Sequence, residues 1–86
     1  MIGLTYLRRW PGDIPSECVV DVPTANGIEE QVIVADSHVR GRNLLVWEVG
    51  SDGHRVLVEL PREALSGAWR LWVTRDMLDP IPPGVD

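Results

Sequence analysis

Residues 44–60 read LLVWEVGSDGHRVLVEL, two apolar runs on either side of Gly50-Ser51-Asp52-Gly53. Apolar residues recur at every second position, which is the period of a strand. Glycine and aspartate between the runs supply a turn, so the stretch predicts an antiparallel hairpin. With Ser51-Asp52 as a two-residue loop, Val49 faces His54, Trp47 faces Val56 and Leu45 faces Val58. That register puts Leu45, Trp47, Val49, Val56, Val58 and Leu60 on one apolar face and sets Glu48 against Arg55. Trp47 is then a core residue. A three-residue loop with Gly53 in the left-handed region shifts the register by one and spoils the face.

Working outward, the same period recurs. Ile2, Leu4 and Tyr6 alternate with their neighbours, until Trp10-Pro11-Gly12-Asp13 breaks the pattern with a strong turn signal. Glu17 to Val22 is a second β-branched run, and Pro23 to Gly27 a turn. Ile28 to Val39 reads as a third strand, strongest at Val32-Ile33-Val34, and Arg40-Gly41-Arg42-Asn43 turns the chain again. Pro61 to Gly67 has proline near its start and glycine at its end, the asymmetry of a short helical turn. Trp69, Leu71 and Val73 mark a last strand, and Thr74 to Leu78 a short 3₁₀ turn. No segment carries the period of an ordinary amphipathic helix.

These signals predict an all-β fold. The expected architecture is a small antiparallel meander curling into a five- or six-stranded SH3-like barrel, with one short helical turn before the last strand. The expected organisation is a single small β domain over residues 1–79 and a Pro-rich extended tail over 80–86, because Pro80-Ile81-Pro82-Pro83 cannot enter a sheet interior.

Composition narrows the function classes. The chain has 86 residues, enough for one domain, and 44% of them are hydrophobic. The net charge is −5 and every basic residue is arginine. An acidic balance opposes non-specific attraction to phosphates and to anionic membranes. Cys18 is the one cysteine, so no internal disulfide exists and a reducing, cytoplasmic setting is expected. The first ten residues lack the basic and apolar regions of a signal peptide, and no apolar run reaches the length of a membrane helix.

Candidate chemistry is sparse. Asp36 with His38, and Asp52 with His54, are two carboxylate–histidine pairs without the clustering of a zinc site. Cys18, His38 and Asp36 have the residue types of a nucleophile, base and orienter, but Cys18 lies among valines, where an inert thiol is the commoner case. No glycine pattern cradles a phosphate. The sequence therefore predicts no enzyme, no cofactor and no metal. Its unusual feature is four tryptophans in a chain without phenylalanine. Trp69 and Trp72 are three apart on one strand and face opposite ways, so one core can take only one of them. The other is expected to contact another protein chain, with self-association the simplest version and Arg70 rimming the contact. The competing expectation is a nucleic-acid surface, with Arg40, Arg42 and Arg55 tracking phosphates beside stacking aromatics.

Overall fold

The computed structural model describes residues 1–80. Its strands are β1 (Ile2–Thr5), β2 (Arg8–Pro11), β3 (Glu17–Val22), β4 (Glu30–Ala35), β5 (Val39–Arg40), β6 (Asn43–Asp52), β7 (Arg55–Glu59), β8 (Arg70–Thr74) and β9 (Leu78–Pro80). Two short 3₁₀ turns, Asp36–His38 and Arg75–Met77, precede β5 and β9. All pairings among the described residues are antiparallel, an arrangement that suits strands with one buried and one outward face.

The central hairpin forms in a register different from the expected one. Asp52 pairs with Arg55, so the loop is Gly53-His54 and not Ser51-Asp52. A tight loop of this kind needs a positive φ at its first central residue, and Gly53 supplies it at 65°. Serine cannot do so cheaply. The β5–β6 hairpin solves the same problem with Gly41 at 58°, where Arg40 pairs with Asn43. A β-bulge between Glu48 and Gly50 then resets the ladder, so that Trp47 pairs with Glu59 and Glu48 with Val58. The expected apolar face breaks apart. Leu44 and Val46 turn into the core, Leu45 is also buried, and Trp47 and Val49 are exposed.

The strands divide between two sheets. One has the order β8-β7-β6-β1-β9 with β5 also on β6, and the other is β2-β3-β4. Among the described residues their ladders do not close into a barrel. Where β8 would meet the second sheet, one backbone bond stands in place of a ladder, from Ala25 N–H to the Trp72 carbonyl at 2.7 Å. β2 was not legible, because its Trp10-Pro11-Gly12 reads as a breaker. Pro11 is tolerated as the last residue of an edge strand, where no ladder donor is needed.

The core between the sheets is built from small aliphatic side chains: Val20, Val22, Val32 and Val34 from one sheet, and Leu4, Leu44, Val46, Val56, Val58 and Val73 from the other, all fully buried. Pro61 to Gly67 is a turn rather than a helix. It straps the open edge of β4: the Leu65 N–H donates to the Gln31 carbonyl at 2.9 Å, Ser66 Oγ to Glu30 at 2.6 Å, and Arg62 pairs with Glu17 at 2.8 Å. An edge covered in this way is blocked to strand pairing. The helical turn expected ahead of the Trp69–Val73 strand therefore does not form, whereas the separate 3₁₀ turn expected over Thr74–Leu78 does, at Arg75–Met77. Pro80 pairs with Ile2 at the end of edge strand β9, and the rest of the expected tail lies outside the described residues. Among the described residues no helix is long and apolar enough to cross a membrane.

Candidate functional site

The core leaves out every tryptophan. Trp10, Trp47, Trp69 and Trp72 are 38%, 38%, 53% and 37% exposed. Two of them share a face, and the strand registers determine which. On β7, Val56 and Val58 are buried, so Arg55, Leu57 and Glu59 point outward. On β8, Leu71 and Val73 are buried, so Arg70, Trp72 and Thr74 point outward.

Cross-strand pairing assembles three rows on this outer face. Trp47, Glu59 and Arg70 form the first, Gly50, Leu57 and Trp72 the second, and Asp52, Arg55 and Thr74 the third. The middle row is apolar and flat. Gly50 has no side chain, and a Cβ there would sit 3.6 Å from that of Leu57. Charged pairs flank it on both sides: Arg70–Glu59 at 3.4 Å and Arg55–Asp52 at 3.0 Å. The Arg55 guanidinium lies 5.1 Å from the Trp72 ring centre, a cation–π contact that holds the ring against the sheet. Beside Trp72 a groove of about 290 Å³ separates β8 from the turn after β3, with Ile28, Glu30 and Ala68 among its walls.

The structure therefore brings Trp72 and Arg70 together but not Trp69. Trp69 precedes β8 with the parity of Leu71, and its carbonyl accepts the Leu60 N–H at 2.9 Å. Neither Trp69 nor Trp72 belongs to the core cluster, so neither is taken inside. Sequence reasoning missed Trp47, Leu57 and Gly50. The signal available was the Gly53-His54 loop, whose register carries Trp47 to the outside.

Arg40, Arg42 and Arg55 do not gather. Arg40 and Arg42 sit where β6 begins and Arg55 opposes its last residue, on the order of 30 Å along an extended strand. Asp36 and His38 lie in a 3₁₀ turn and share no strand face. No group of three or more His, Cys, Asp or Glu able to hold a metal occurs among the described residues. Cys18 is 2% exposed. Burial pushes its thiol above the ordinary range, with Asp36 adding to the shift and Arg9 opposing it. A thiol held protonated is a poor nucleophile. His38 Nδ1 is buried without a hydrogen-bond partner.

Comparison with protein-family models, with curated proteins and with solved structures found no match for this chain.

Proposed function

We propose that this protein is a small non-catalytic binding module, which holds another protein chain against the outer face of β6, β7 and β8. One observation carries the reading: Trp47, Leu57 and Trp72 lie on one solvent-facing sheet surface, while the core is filled with valine and leucine. Packing inside does not require these rings. Large apolar groups gathered outside a folded domain mark contact sites, and tryptophan is enriched in the anchors of interfaces. The flanking Arg–carboxylate pairs supply the polar rim such contacts carry. We read the two sheets as an opened form of the SH3-like barrel expected from the strand spacing. The nucleic-acid reading loses support, because its three arginines are dispersed over an acidic molecule.

A photo-reactive residue at position 57 tests the reading in living cells. It is expected to trap a protein chain, while the same residue at exposed Asp13 traps little. Equal trapping at both positions contradicts the proposal.

A further inference from the structure

The outer face has a symmetry of charge that suits one partner above others. Leu57 is the middle residue of the outward set on β7, with Arg55 two positions to one side and Glu59 two positions to the other. Successive outward positions on a strand are about 6.6 Å apart, so the backbone positions of Arg55 and Glu59 are offset about equally from that of Leu57. On β8, Trp72 occupies the same central place, level with Leu57.

We infer that the partner on this face is a second copy of the chain, docked about a two-fold axis along the Gly50–Leu57–Trp72 row. The inference rests on the interaction-module reading and deepens it. About that axis Leu57 meets Leu57 and Trp72 meets Trp72 of the other copy. Arg55 of each copy stands opposite Glu59 of the other, so the contact contains two opposite-charge pairs. Turning one copy to put the axis along the strands sets Glu59 against Glu59, and like-charge opposition disfavours it. A two-fold contact is self-complementary, as closed homodimers require. Sheets stack about 10 Å apart, a gap that an arginine and a glutamate reaching from opposite sides can bridge. Gly50 keeps one end of the axis clear of side chains, so the backbones can approach there. A face three strands wide covers on the order of a few hundred Å² per protomer, the low end for specific contacts. Dimers are therefore expected only at high protein concentration.

Sedimentation of charge-reversed variants tests the arrangement. Wild type is expected to dimerise as its concentration rises, and Trp72→Ala to remain monomeric. Arg55→Glu alone and Glu59→Arg alone each place like charges opposite across the axis, so each is expected to dimerise at least roughly tenfold more weakly than wild type. An equimolar mixture of the two is expected to regain dimers, since each variant then meets the opposite charge it lacks. The mixture separates this geometry from general damage to the fold, because unfolded variants do not rescue each other. Dimers in every variant with no gain on mixing overturn the axis while leaving self-association standing. A wild type that stays monomeric throughout overturns the second copy as partner. The module reading then stands or falls on whether position 57 traps a different protein in cells.

Discussion

Gly3 is the most tightly enclosed of the described glycines. It lies between β6 and β9, and a Cβ there would come 2.7 Å from the Cβ of Asn43. Asn43 is buried at this spot because its amide joins three strands. It donates to Asp79 at 3.0 Å and accepts from Thr5 Oγ1 at 2.9 Å. Gly3→Ala is therefore expected to cost about 1–3 kcal/mol by forcing Asn43 aside, measured by denaturant unfolding. Cys18 gives a second residue-scale prediction. Its folded-state pKa is raised, chiefly by burial, so the unfolded chain loses the thiol proton first. The resulting stability is complete below the ordinary thiol pKa of about 8.5 and is lost as pH rises through the folded value. Above about pH 8.5 wild type is expected to lose stability faster than Cys18→Ala. Parallel losses in the two proteins count against a shifted thiol. The burial of Cys18 was legible from the valines beside it, but the contact of Gly3 with Asn43 was not, because the two meet through strand pairing across 40 positions.

At the scale of elements, turn chemistry decides more than apolar pattern. The hairpin over residues 44–60 was legible as a hairpin, and Glu17–Val22 was legible to its ends. The register was not, since two loops fit the same alternation and only one puts glycine where the backbone needs it. A bulge, which inserts one residue opposite none, carries no mark in an alternating run. The consequence is measurable. Trp47 is 38% exposed and Leu60 only 2%, so Leu60→Ala is expected to cost about 2–5 kcal/mol. Trp47→Ala is expected to cost less than about 2 kcal/mol, despite removing the larger side chain. The reverse order in urea melts would restore the register with Trp47 inside. Pro61 to Gly67 teaches the same lesson: its proline and glycine suit a helical turn, but pairing with Gln31 and Glu30 along the β4 edge draws it into a strap.

The described residues form two antiparallel sheets over a core of valine and leucine, with the four tryptophans outside it and Tyr6 packed against it. The class of the fold was legible, because β-branched runs and closely spaced turns recur along the chain. Its division into two sheets was not, because the break depends on β2, a strand hidden in a Pro-Gly stretch. The candidate site was half legible. Trp72 and Arg70 followed from alternation on one strand, whereas Trp47 and Leu57 join them only through the registers of β6 and β7. The central claim is that Trp47 and Trp72 belong to an outer face that a second chain covers. A water-soluble quencher of tryptophan emission tests this most directly, applied to a variant with Trp10 and Trp69 replaced by phenylalanine so that these two are its remaining tryptophans. In dilute protein both rings are expected to be quenched readily, and the quenching to fall as concentration rises and the face is covered. Rings shielded at the lowest concentration, with no change on concentrating the protein, would place them inside the fold and contradict the account.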